Sequence, residues 1–150
     1  MSTGPFTLFD TTLAGLLSGA FGNLAVGPVS AVLLTDAYSP DLVADASLAD
    51  VSIFEVSGGD YAPLSISSPA IVPVAGGAAF SSGDADWGDP VTMPEAKYLV
   101  LVKGNAGSLD PGDPLIGFVD LDESGDGVAS VNGRFRISTP VGGWFDLTRE

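Results

Sequence analysis

From Gly27 onward the chain consists of short apolar runs separated by Gly, Pro, Asp and Ser, and this pattern constrains the fold most strongly. Strands of sandwiches and barrels have this length and are joined by turns of this composition. We therefore predict a mainly β protein, an antiparallel β-sandwich or barrel-like domain. The predicted strands cover residues 29–35, 51–56, 64–74, 97–103, 115–121, 133–138 and 144–147. The Gly- and Ala-rich residues 74–80 are interpreted as a loop or as a site of tight packing rather than as a linker between domains.

Two of the predicted strands have distinct patterns. Residues 97–103 are apolar inside and carry a lysine at each end, which predicts a central strand buried on both faces. Arg134 and Arg136 alternate with Phe135 and Ile137. Because successive side chains of a strand point to opposite faces, we expect this strand to have one exposed and one buried face.

One segment predicts a helix, which begins at Asp10 or Thr11, since either residue can cap it. Its predicted apolar face consists of Leu13, Leu16, Leu17 and Phe21. These residues recur at spacings of three and four, which is the period of an amphipathic helix. Gly22 ends the helix.

Residues 1–9 precede this helix and are predicted to form an extended N-terminal arm, whereas residues 10–150 form a single β-rich domain. Phe6, Leu8 and Phe9 have no place in a self-contained helix. An extended arm of this length reaches about 30 Å, enough to add a strand or an apolar plug to another subunit. We therefore predict that Phe6, Leu8 and Phe9 contact a partner, and that the partner orders the arm.

The chain contains no Cys and no His, which excludes most catalytic machinery. Cysteine nucleophiles, zinc-thiolate sites and disulfides require Cys, and the base of a hydrolase triad and imidazole metal ligands require His. The length of 150 residues fits one domain that needs no covalent staple. We therefore predict that the protein is not an enzyme and holds no cofactor.

Charge is distributed unevenly along the chain. Residues 1–96 hold eleven of the nineteen acidic residues and none of the five basic ones. Such a surface repels phosphate groups, so neither nucleic acid nor an anionic membrane is an expected partner. No basic residue precedes the first apolar stretch, and no apolar run is long enough to span a bilayer, so neither a secretory signal nor a membrane helix is predicted.

Residues 120–127 are the best candidate for a metal site. Asp120, Asp122 and Asp126 alternate with other residues, and a glycine stands at the sixth position, as in a calcium-binding loop. The twelfth position is Val131 where that loop requires a bidentate Glu, and the flanking residues predict strands. We therefore interpret the segment as a turn between two strands and predict no metal site.

A carbohydrate-binding module or glycosidase is an alternative function. Asp86 and Asp89 flank Trp87, and a glycosidase uses two carboxylates across a sugar that an aromatic ring can stack on. Spacing in the sequence does not show that the two carboxylates converge. A Trp between turn residues also fits a plug at the end of a sandwich core.

Several segments, taken in order, carry a resemblance to a known family. They are LAGLL at 13–17, VSAVLLTDAYSP at 29–40, DVSIFEVSGGDY at 50–61, DADW at 84–87, AKYLV at 96–100, PLIGFVD at 114–120 and NGRFRI at 132–137. Together they cover most of the chain, which resembles small structural proteins of tailed-bacteriophage virions that are associated with capsid decoration. All of these motifs are strand and turn patterns, and the family supplies no catalytic residue.

The resemblance implies a non-enzymatic virion protein that decorates or cements the capsid by binding where its subunits meet. The expected partners are the major capsid protein and further copies of the chain, in a homo-oligomer such as a trimer. The expected location is the outer capsid surface, after synthesis in the host cytoplasm. A tail or baseplate component is the alternative within the same class of protein.

Overall fold

A computed structural model describes residues 3–149. The helices are α1 (Asp10–Ser18) and α2 (Leu48–Val51), with short 3-10 helices at Ser52–Phe54 and Ala106–Ser108. The strands are β1 (Thr7–Leu8), β2 (Ser30–Leu34), β3 (Leu64–Ser65), β4 (Ala70–Val74), β5 (Gly77–Ser81), β6 (Ala85–Ala96), β7 (Tyr98–Val102), β8 (Leu115–Asp120), β9 (Val128–Ile137) and β10 (Phe145–Thr148). The prediction of a mainly β, antiparallel protein is confirmed.

The strands form three antiparallel sheets. The largest has the order β1-β8-β7-β2-β3, a second has the order β10-β5-β4, and β6 pairs with β9 in a long ribbon. Strand β7 lies at the centre of the largest sheet, and the predicted burial of its two faces is confirmed. Continuous apolar runs in β2 and β7 allow this, because such strands have no face suited to water.

Two apolar clusters cover the two faces of the five-stranded sheet. Leu33, Leu99 and Leu101 point to the cluster that contains β6, β9 and the three-stranded sheet. Val32 and Val100 point to the other cluster, which contains residues of α2 and the N-terminal segment. The period of two along each strand thus places alternate residues in separate cores and makes this sheet the middle layer.

The N-terminal segment contradicts the predicted arm. The Gly4 N–H donates to the Asp120 carbonyl at 2.8 Å, and β1 pairs with Phe118 and Gly117 of β8. A Cβ at Gly117 would lie 2.5 Å from the Thr7 carbonyl oxygen, so glycine permits this close approach. Residues 4–9 therefore belong to the edge of their own sheet; Met1 and Ser2 lie outside the described residues.

The three predicted partner contacts pack inside the same chain. Phe9 is fully buried beside Phe118, with 5.5 Å between ring centroids. The Phe6 ring lies 5.5 Å from the Trp144 ring, and Leu8 is half-buried against the first cluster. The chain's own layers leave apolar spaces that these side chains fill, so the fold itself orders them, and contact of Phe6 and Leu8 with a partner stays a prediction.

Helix α1 begins at Asp10, but its N-cap is Phe9 rather than Asp10 or Thr11, and it ends at Ser18 rather than at Gly22. Of its predicted apolar face, Phe21 is buried and Leu16 is partly buried against the first cluster, whereas Leu13 and Leu17 do not belong to the core. Thr12 and Gly15 are the buried residues, and the Thr12 hydroxyl donates to the Leu115 carbonyl at 2.8 Å. Leu13 and Leu17 are instead 44% and 92% exposed. Gly15 has no side chain and so gives room to the Phe21 ring, and the helix packs through Thr12, Gly15 and the partly buried Leu16 rather than through Leu13 and Leu17.

Two other predictions differ from the structure, and the structure decides for tight packing at residues 74–80. Residues 51–54 are helical rather than a strand, because the Asp50 carboxylate accepts from the Ser47 N–H at 2.9 Å and stabilises the start of α2, and of the predicted strand only Glu55 forms a β-bridge, with Leu34. Residues 64–74 divide between β3 and β4. Residues 74–80 form the β4–β5 hairpin, and a Cβ at Gly77 would collide with the Leu147 carbonyl, so the small residues serve close strand packing.

Among residues 3–149, neither helix has the length and apolar character needed to cross a bilayer.

Tyr61 links the middle layer to its neighbouring loop. Its hydroxyl donates to Glu55 Oε1 at 2.7 Å and accepts from the Leu33 N–H at 3.1 Å. Burial is the main cause of the raised pKa of Tyr61, and Glu55 adds to it. In the folded protein the hydroxyl therefore stays protonated at pH values above those at which a tyrosine usually loses its proton.

We expect Tyr61→Phe to lower the free energy of unfolding by about 1–3 kcal/mol, because the substitution leaves a buried N–H without an acceptor. In the wild type, the contribution of the Tyr61 hydroxyl to the free energy of unfolding should be complete below about pH 10 and fall above it. Above that pH the unfolded chain releases a proton that the folded chain retains. Urea unfolding of both proteins at neutral and alkaline pH measures this. Equal stability of the two proteins at neutral pH would contradict the expectation.

Candidate functional site

The ribbon of β6 and β9 presents the most distinctive polar arrangement of the fold. Arg134 and Arg136 lie on its exposed face, and Phe135 points into the core with 5% exposure, as predicted. Strand β6 contains Gly88 and Pro90, and four register shifts along the ribbon accommodate them. Glycine and proline disfavour strands, which explains why the sequence does not predict β6.

Each of these arginines has a carboxylate partner in or next to β6. Arg134 forms a close ion pair with Asp86, and Arg136 Nε lies 3.7 Å from Asp84 Oδ2. The hydrogen bond from Arg134, with a second from the Gly88 N–H, lowers the pKa of Asp86. The charges of the ribbon are thus largely balanced locally.

A groove of about 560 Å³ runs beside β9. Its walls are formed by Thr3, Gly4, Leu121, Val128, Ala129, Arg134, Phe135, Arg136, Ile137, Ser138 and Pro140. They include two of the chain's five basic residues and none of its nineteen acidic residues. In a protein with a formal charge of −14 this lining is distinctive, although Asp86 and Asp84 lie against the two arginines and partly compensate their charge.

The residues of the sugar-binding hypothesis do not line this groove. The Trp87 indole N–H donates to the Ala62 carbonyl at 2.8 Å, and its ring meets Phe135 edge-on at 5.6 Å. Asp86 is engaged by Arg134, and Asp89 is exposed. The Trp87 ring, on which a sugar would have to stack, therefore packs against the core. Sugar binding stays a prediction.

Lys97, which directly precedes β7, contacts and stabilises the acidic turn between β8 and β9. Lys97 Nζ lies 3.1 Å from Asp120 Oδ1 and donates to the carbonyl oxygens of Asp122 and Gly125, the latter at 2.7 Å. Its side chain is only 12% exposed. The ammonium group thus takes oxygen ligands that a cation would need, and no cluster of metal-ligating side chains occurs among residues 3–149.

Helix α1 offers an apolar surface of the kind that partner proteins cover. Leu13 and Leu17 are one helical turn apart and so are neighbours on the exposed side of the helix. They lie in residues 11–35, which contain no charged residue. The sequence periodicity identified both leucines but assigned them to the core, and no signal in the sequence separates the two outcomes.

Comparison with protein-family models, curated proteins and solved structures gives no match to this chain.

Proposed function

We propose that this protein is a non-enzymatic structural component of a tailed-phage virion. It decorates or cements the outer capsid surface by binding where capsid subunits meet, as a symmetric oligomer. The proposal rests on the sequence resemblance together with one structural observation, the exposed leucine pair of α1.

The leucine pair supports a docking role because the core does not need it. Thr12 and Gly15 already attach α1 to the rest of the protein, so Leu13 and Leu17 remain in water. Burying one leucine side chain contributes about 1.5–3 kcal/mol, and apolar residues adjacent on a helix commonly mark a contact surface. A decoration protein needs such a surface.

The charge pattern supports the same role. Identical copies with a formal charge of −14 repel one another. Contact is least unfavourable where a surface is free of charge, and the part of α1 after Asp10, with the loop that follows it, belongs to the uncharged residues 11–35. The acidic remainder keeps the protein dispersed before assembly. The exposed leucines therefore replace Phe6, Leu8 and Phe9 as the proposed contacts.

The number of copies per particle tests the proposal against a role in the tail or baseplate. Decoration requires at least one copy for each capsid subunit or junction, whereas a tail component is present in far fewer copies. Quantitative gel analysis or imaging of purified virions gives this number, and a low number confined to the tail would overturn the capsid role.

We expect the variant Leu13→Ser with Leu17→Ser to bind particles at least tenfold more weakly than the wild type, because two apolar anchors are lost. Wild-type copies should stay bound as sodium chloride rises from about 0.1 to 0.5 M, because salt weakens charge pairing but not apolar contact. Sedimentation of particles followed by counting of retained copies measures both effects.

Val141→Ser is the matched control, since Val141 is fully exposed in a loop. It should bind like the wild type, and all variants should keep the wild-type melting midpoint. Steep loss of wild-type copies over this salt range would instead indicate that charge pairing holds the protein on the particle.

A further inference from the structure

Strand β9 has an edge that the fold leaves open. Within the described residues β9 pairs only with β6, so its other edge carries backbone donors and acceptors that no neighbouring strand uses. Residues 128–129 and 134–137 of β9 line the groove together with Thr3 and Gly4. An open strand edge is a template for an added strand.

The interior of the groove suits an extended chain with apolar side chains on one side. Leu121 and Phe135 are buried, and Val128 and Ile137 are half-buried in the wall. A helix or a rigid small ring would not use the row of backbone groups along β9. An added strand satisfies those groups and places every second side chain against this apolar wall.

The two arginines define the chemistry on the other side of such a strand. They are two residues apart in β9 and therefore lie on the same face. Side chains directly opposite each other on adjacent antiparallel strands are about 4.5–5.5 Å apart at Cβ. Carboxylates two residues apart on the added strand would thus lie opposite Arg134 and Arg136.

Both guanidinium groups have donors to offer. The 3.7 Å separation between Arg136 Nε and Asp84 Oδ2 is longer than a hydrogen bond, so the two groups interact by charge alone, and the Arg136 side chain is 46% exposed. Arg134 binds Asp86 through one of its terminal nitrogens. A guanidinium carries five donors, so each arginine can bind a second carboxylate.

We propose that the groove beside β9 binds an extended peptide segment of another protein chain, in which two carboxylate side chains flank one apolar residue. The segment adds a strand to the open edge of β9, its apolar side chains contact Leu121 and Phe135, and its carboxylates bind Arg134 and Arg136. This site is separate from α1 and does not depend on the virion role.

The test uses the full chain and two synthetic peptides. The probe is acetyl-Thr-Asp-Val-Asp-Val-Thr-amide, and its control has Asn at both Asp positions. Each is added at up to about 5 mM to isotope-labelled protein, a range that detects weak ligands, and backbone amide shifts are followed by NMR. We expect shifts confined to residues 128–138 and to Thr3 and Gly4. We expect the Asn peptide to bind at least tenfold more weakly.

Two variants sharpen the test. Arg136→Gln should weaken binding of the acidic peptide about tenfold, because a charge-assisted hydrogen-bonded pair is lost. Arg149→Gln removes the same charge at the end of β10, outside the groove, and should bind like the wild type. If Arg136→Gln does not fold, Arg136→Lys serves instead, since it keeps the charge but lacks the planar fork.

The proposal is overturned by an absence of shifts at the highest peptide concentration or by shifts centred away from β9. Equal binding of the Asn peptide, or unchanged binding by Arg136→Gln, overturns the recognition of carboxylates and leaves simple strand pairing. Loss of binding in Arg149→Gln as well as in Arg136→Gln would show that net charge, rather than the groove, controls the interaction.

Discussion

Replacing Phe9 with alanine is expected to lower the free energy of unfolding by about 3–5 kcal/mol, the range for a large aromatic side chain removed from a core. Phe9 has no exposed surface and contacts Phe118, and it connects β1 to the start of α1. The cavity left behind lies under the middle sheet, where the regular strands resist collapse. Urea unfolding monitored by circular dichroism measures the change.

Leu17→Ala is the matched control, because Leu17 follows Phe9 by only eight residues and is 92% exposed. Its free energy of unfolding should stay within about 0.5 kcal/mol of the wild type. Deletion of residues 2–8 should also destabilise the isolated protein, since it removes β1 and Phe6. An unchanged stability of Phe9→Ala would restore the interpretation of residues 1–9 as an arm that a partner orders.

The middle layer of the fold could be predicted because its strands carry their own signal. Continuous apolar runs make β2, β7 and β8 recognisable without knowledge of their neighbours. The alternation around Phe135 likewise identifies the two faces of β9. In these strands the local pattern and the tertiary environment agree.

Other elements depend on contacts that a local pattern does not contain. Pro90 and Gly88 argue against a strand, yet β6 forms because its register shifts remove the ladder positions that a proline cannot fill. Gly77 fits either a loop or tight packing, and it is the close approach of β10 that requires a residue without a side chain there. In both cases tertiary packing outweighs residue propensity.

The candidate site likewise combines features that the local sequence pattern predicts with features that depend on tertiary contacts. Apolar character at Phe9 and Leu17 is plain in the sequence, but which of the two is buried depends on which side of α1 faces β8. Gly15 and Thr12 decide this, since their small side chains permit the closer approach. Spacing alone therefore assigns the contact surface to the wrong residues.

Lys97 is the residue that the sequence pattern missed in the acidic turn. Lysine at the end of an apolar strand predicts only a solvated strand end, and its partners are more than twenty residues away. The turn presents a carboxylate and two carbonyl groups to a single point, an arrangement suited to a cation. The ammonium group supplied by the chain itself occupies that point.

We expect Lys97→Met to lower the free energy of unfolding by about 2–4 kcal/mol, because hydrogen bonds to a charged group contribute about 1.5–3 kcal/mol each and the Asp120 carboxylate loses its partner. Lys103→Met is the control. Its ammonium donates to the Val26 carbonyl at 3.0 Å in an exposed loop, so its loss should cost under about 1 kcal/mol.

Because the Lys97 ammonium already occupies the position of a cation in the turn, calcium should neither bind the wild type in titration calorimetry nor raise its melting midpoint. Micromolar calcium binding that Asp122→Ala abolishes would show that a metal displaces the lysine, and would make the turn a regulated site rather than a structural one.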